Sequence, residues 1–240
     1  MKTPDIRFQM PESIRENIAR VQERIATACR RVGRSPQEVS LLAACKNVPP
    51  ERIREAFEAG VRDFGENRVQ EAGAKRPALA DLTVAWHLIG HLQSNKAKAA
   101  RDLFHWVQSL DSFHLAEKLH RSAPCSGDRL TVLLEVNLGG EPAKSGSRES
   151  EVLDLARRIG ELETLELRGL MLVPPYCENP EEVRPYFSRL RELANVVNSA
   201  SLANVRMDEL SMGMSHDLET AVEEGATIVR VGTAIFGPRP

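Results

Sequence analysis

Four cysteines, Cys29, Cys45, Cys125 and Cys177, are scattered through the 240 residues, and no two of them form a C-x-x-C pair. A zinc ribbon or a thioredoxin-like redox motif has no footing in such spacing, so the thiols read as reduced and structural and no metal site is expected. No stretch offers 18 uninterrupted apolar residues, and the opening MKTPDIRFQMPESIREN lacks the apolar centre of a secretory signal. The expectation is a cytoplasmic protein without a membrane partner. A strong charge of either sign is missing too, since 32 Lys and Arg stand against 34 Asp and Glu for a formal net charge of -2. That leaves no global basic field for nucleic acid, and none is expected as a partner. With 42% hydrophobic and 28% charged residues, the composition is that of a soluble globular protein. The length suits one domain spanning residues 1–240.

The positive signal is a repeating alternation. Residues 12–32 place Ile14, Ile18, Val21, Ile25 and Ala28 at helical spacing, with Pro11 near the start and Gly33 just past the end. Short β-rich runs follow at residues 39–45, 61–64, 84–89, 105–109, 130–138, 167–173, 205–210 and 226–231. Between them lie helical segments: one introduced by Pro49 and Pro50 and ended by Gly60, then 66–80, 94–102, 112–122, 149–162, 180–199 and 216–224. The run LTVLLEVNL at 130–138 is continuously aliphatic, as a parallel strand covered on both faces must be. Eight similar β/α units predict a closed TIM-like (β/α)8 barrel; a doubly wound open sheet is the competing architecture, but no reversal point is evident. Because GPRP follows Phe236, the opening helix is expected to cover the gap beside the eighth strand.

Barrels of this kind collect their chemistry at the C-terminal strand ends. The first strand delivers Lys46 beside the apolar run LLAAC, where burial disfavours the ammonium form and a neutral amine can attack an aldehyde. From its position alone, Lys46 reads first as a strand-end lysine whose head reaches solvent. Opposite it, SMGMSHD at 211–217 supplies two hydroxyls and Gly213, and VGT at 231–233 supplies Gly232 and the Thr233 hydroxyl. Barrels often bind phosphate in these two loops, and an amine facing them makes a coherent aldehyde-phosphate site. Arg230 precedes VGT and either pairs with a carboxylate or faces a ring nitrogen, which it would keep unprotonated. His87 and His91, within WHLIGHLQSNK, lack the intervening glutamate of H-E-x-x-H, and because 84–89 favours a strand, these positions four apart would share no helical face.

CKN at 45–47, GENRVQE at 65–71, WHLIGHLQSNK at 86–96, SMGMSHD and VRVGTAIFG together resemble the pyridoxal phosphate homeostasis proteins, the YggS-type family, over nearly the whole chain. That family is similar to the barrel half of bacterial alanine racemases, a fold-type III arrangement, without their second β-domain. The resemblance implies pyridoxal 5′-phosphate as cofactor, with Lys46 carrying it as a Schiff base and Arg230 facing the pyridine nitrogen. Ser211, Ser215, Gly232 and Thr233 would hold the phosphate, with Asn67, His87 and Met171 close by. It implies a non-catalytic carrier in vitamin B6 balance, affecting amino- and keto-acid metabolism, with recipient apoenzymes as partners and a monomer as the expected state. Tyr176 and Tyr186 are the only tyrosines, and neither has a context that supports the second base of a racemase. A weak pyridoxal phosphate-dependent amino-acid racemase is the alternative, and a Schiff-base aldolase acting through Lys46 stands behind it.

Overall fold

The computed structural model describes residues 13–124, 127–141 and 145–238; Pro11 and Cys125 lie outside the described residues. Helix α1 (Ile14–Arg31) opens with a capping box, the Ser13 hydroxyl accepting from Glu16 N while Glu16 accepts from Ser13 N. Its buried stripe includes Ile14, Ile18, Val21, Ile25 and Ala28, the set that the helical spacing predicts. Strands β1 (Ser40–Ala44), β2 (Asp63–Glu66), β3 (Ala85–Leu88), β4 (Trp106–Leu110), β5 (Leu130–Glu135), β6 (Leu165–Met171), β7 (Val205–Ser211) and β8 (Ile228–Val231) pair in parallel in sequence order. β8 closes on β1, with Leu42 opposite Arg230 and Ala43 opposite Val231, so the sheet is an eight-stranded barrel.

The connecting helices are α2 (Pro50–Glu58), α3 (Val69–Lys75), α4 (Ala97–Leu103), α5 (Phe113–Arg121), α6 (Val152–Gly160), α7 (Arg184–Ser199) and α8 (Leu218–Glu223), followed by the single turn α9 (Thr233–Phe236). As expected, α1 covers the outside where β8 meets β1, packing on α8, α9 and α2. Several elements depart from their expected bounds, two of them for a clear local reason. β2 starts at Asp63 instead of 61, because Gly60, at φ 106°, turns the chain and Val61 N bonds back to Ala56 O. The helix expected over 66–80 stops at Lys75 and continues as a 3₁₀ turn at Arg76–Leu79, since Pro77 cannot supply the next N–H.

Strand side chains alternate between the barrel interior and the helix layer. The interior holds an apolar cluster of Leu42, Leu133, Met171 and Ile228, while the larger core lies between strands and helices.

Candidate ligand site at the barrel mouth

β1 ends one residue before Cys45, and a turn closed by Val48 N donating to Cys45 O (3.0 Å) carries Lys46 to the mouth. Asn47 sits in the left-handed region at φ 59°, which asparagine tolerates better than most residues. The turn is clamped from behind. Lys75 Nζ donates to Cys45 O (2.8 Å), Glu66 Oε1 (2.7 Å) and Glu71 Oε1 (2.7 Å), and Glu71 also accepts from Asn47 N. The Cys45 thiol faces this cluster, 3.2 Å from Glu66 Oε1, so it points away from the mouth while Lys46 points into it. Burial raises the Glu66 carboxyl against the pull of Lys75. Burial also works against the Lys75 charge, but Glu66 and Glu71 outweigh it and hold the ammonium.

Across the mouth, the loops after β7 and β8 meet. Ser215 Oγ accepts from Ala234 N (3.3 Å) and lies 3.2 Å from Thr233 Oγ1. The first loop turns at Gly213 (φ 91°), where an added Cβ would lie 2.5 Å from Ala221 Cβ, and is pinned by Met214 N donating to Asp217 Oδ1 at 2.6 Å. At Gly232 an added Cβ would lie 3.2 Å from Ala44 O, so the backbone passes close under the Lys46 strand. From outside, Arg24 of α1 donates to Ser215 O at 3.0 Å and pairs with Glu219 at 2.6 Å.

Arg230 forms the floor. Its guanidinium donates through Nη1 to Ser211 O and Oγ, both at 2.6 Å, and through Nη2 to Leu172 O at 2.7 Å. Among the described residues it makes no ion pair with a carboxylate, so that alternative falls away. Burial lowers its pKa to about 10 against the opposing pull of Glu135 and Asp217, and it stays charged at neutral pH.

A cavity of about 540 Å³ joins these parts, lined by Lys46, Asn67, Ser215, Arg230, Gly232 and Thr233 among others. Three of the expected residues are not in its lining. Ser211 is fully buried, and its hydroxyl is committed between Arg230 and Gln108, so it supports the floor instead of joining the loop cradle. Met171 is fully buried in the apolar interior cluster. His87 lies deeper, between Asp63 and Gln108. Other residues emerge only in the structure, namely Gln108 and the buried Glu135, while Tyr176 lies 81% exposed at the mouth with its ring 5.8 Å from that of His216. A lone glutamine inside the apolar strand WVQSL was the available signal for Gln108.

The family model described as alanine racemase, N-terminal domain, matches residues 11–240. The pyridoxal phosphate homeostasis protein of Aquifex aeolicus is 48% identical over 224 residues, covering 93% of this chain and 97% of its own. The chain belongs to the pyridoxal phosphate homeostasis protein family. The structure of PipY of Synechococcus elongatus PCC7942 with PLP bound superposes with a TM-score of 0.83 at 40% identity, covering 94% of this chain and all of PipY. The alanine racemase of Clostridium difficile 630 shares the fold at 14% identity, TM-score 0.73, with 95% of this chain matching 57% of the racemase.

Proposed function

We propose that this protein binds pyridoxal 5′-phosphate at the barrel mouth and serves as a carrier in intracellular vitamin B6 balance, with no turnover reaction of its own. The observation that carries the reading is one cavity that brings together the Lys46 amine, the Ser215–Thr233 hydroxyl pair and a buried Arg230 that makes no carboxylate ion pair among the described residues. The residues fit the group by chemistry: an amine for the aldehyde, hydroxyls and a close glycine backbone for the phosphate, and a permanent cation for the ring nitrogen. The cavity volume lies in the range of small-molecule sites.

When bound, pyridoxal phosphate supplies an aldehyde that condenses with amines and a ring that withdraws electrons. Lys46 holds it as a Schiff base, in the fold-type III manner. Ser215, Gly232 and Thr233 hold the phosphate, and Asn67 lines the wall beside Lys46. Arg230, which keeps its own proton at neutral pH, denies one to the ring nitrogen and so weakens the ring as an electron sink. That favours storage and delivery over α-proton chemistry. The whole chain acts as one barrel, a cytoplasmic monomer that hands the cofactor to recipient apoenzymes. Among the described residues no helix is long and apolar enough to cross a membrane.

The absorption spectrum tests this reading. Wild type purified from cells, or incubated with pyridoxal phosphate, should show a visible band that Lys46→Ala lacks, and should not exchange the α-proton of amino acids into deuterated solvent. A colourless wild type after incubation would overturn the proposal; a coloured protein that exchanges α-protons would make it a catalyst.

A further inference from the structure

Below the cavity floor, a polar chain crosses the barrel interior beside the apolar cluster of Leu42, Leu133, Met171 and Ile228. We infer that Ser211, Gln108, His87 and Asp63 are positioning residues that fix the Arg230 guanidinium and tie it to the opposite end of the barrel. The inference rests on the reading of Arg230 as the partner of a bound pyridine ring, and goes beyond it by assigning what orients that group.

With the Gln108 amide oriented as it is, its oxygen toward Ser211, the hydrogen bonds run in one direction. Arg230 Nη1 has only protons to offer, so Ser211 Oγ accepts from it at 2.6 Å. Ser211 then spends its single proton on Gln108 Oε1, also at 2.6 Å. With its oxygen placed there, Gln108 presents its amide nitrogen to His87 Nδ1 at 2.9 Å and donates. Nδ1 is therefore the unprotonated ring nitrogen, and the proton sits on Nε2, 3.0 Å from Asp63 Oδ1. Every donor points the same way, from a cation on β8 to an anion at the first residue of β2. Dipoles aligned between opposite charges in a low-dielectric interior reinforce one another.

Beyond Ser211 the chain offers the guanidinium no acceptor of its own, since Ser211 O, Ser211 Oγ and Leu172 O accept from it directly. The interior around it is Leu42, Leu133, Met171 and Ile228, where each polar side chain carries a desolvation cost unless fully paired. His87 is further held by stacking on Trp106, ring centres 5.3 Å apart. What the chain adds is orientation: the guanidinium plane is set by a hydroxyl that is itself set by an amide and an imidazole. Asp63 is partly exposed in a separate cleft of about 590 Å³ between α1 and β2, so the chain runs from one cavity to another.

The test uses the full chain with Gln108→Leu, Gln108→Glu and Asp63→Asn, neither position lining the cavity at the mouth. With ring-¹⁵N pyridoxal phosphate bound, the nitrogen resonance in wild type should lie in the unprotonated range. It should move toward the protonated range in Gln108→Leu and, less far, in Asp63→Asn, with affinity falling about tenfold for the first. Gln108→Glu keeps the acceptor for Ser211 and takes a doubly protonated His87 between two carboxylates, so it should stay at the wild-type position. A second arm needs no ligand: the Arg230 guanidinium protons should exchange with solvent about tenfold faster in Gln108→Leu and Asp63→Asn. Wild-type resonance, affinity and exchange in both variants would overturn the inference whatever their melting temperatures. If Gln108→Leu does not fold, the partly exposed Asp63→Asn decides alone. A wild type that binds no pyridoxal phosphate sinks the reading of the site, while the exchange arm still decides whether the chain orients Arg230.

Discussion

Glu135 ends β5 inside the barrel with one carboxylate oxygen, Oε2, buried and without a hydrogen-bond partner among the described residues. Burial pushes its pKa up to about 7, against the pull of Arg230 and His91 and with the repulsion of Asp111. A carboxyl with a folded pKa above its unfolded value takes up a proton on folding. Its contribution therefore favours the folded state at low pH and is lost as pH rises from about 4 toward 7, worth on the order of 3 kcal/mol if the whole shift is realised. Glu135→Gln should flatten this part of the profile and raise stability above pH 7. Urea unfolding of both proteins between pH 5 and 8 checks it; parallel profiles would show that Glu135 does not titrate there.

Among the elements, the β3 strand and its following turn place Gly90 against the second strand's loop. An added Cβ there would lie 2.5 Å from Asn67 O and 2.8 Å from Asn67 Cα, both backbone atoms that cannot swing aside. Gly90→Ala should therefore displace the Asn67 segment from the cavity wall and weaken pyridoxal phosphate binding roughly tenfold, with a stability loss of about 1–3 kcal/mol. Equilibrium titration followed at the visible band, alongside a melting curve, separates the two effects. The strand ends were legible in the sequence because short aliphatic runs stop at polar residues, which put Lys46, Asn67, Ser215, Gly232 and Thr233 at one mouth. What was not legible depends on how strands far apart in sequence are staggered around a closed barrel. Ser211 and Gln108 meet across 103 positions, and no local pattern shows that the hydroxyl is spent on an amide instead of a ligand. The Lys75 clamp was hidden for a related reason: a lysine on a helix reads as solvent-facing until the carboxylates of Glu66 and Glu71 are seen to converge on it.

For the molecule as a whole, α1 is the cover of the outer layer where first and last strands join. Ile18, 1% exposed, sits in the middle of its buried stripe. Ile18→Ala should cost about 2–5 kcal/mol, read as a lower urea midpoint with an unchanged slope. An effect under about 0.5 kcal/mol would mean the helix is loosely held.

The same helix also sets a timetable. Arg24 and Glu219 pair across 195 positions, so a helix made early finds companions among residues made much later. Until α8 and α9 are made, much of its apolar stripe lacks its cover, and the growing chain must keep that stripe from sticking elsewhere. Sealing the barrel and building the Ser215 cradle are then a single late event, because the arginine that does the first also anchors the second. Unfinished chains should therefore be unable to capture a cofactor that the finished protein holds.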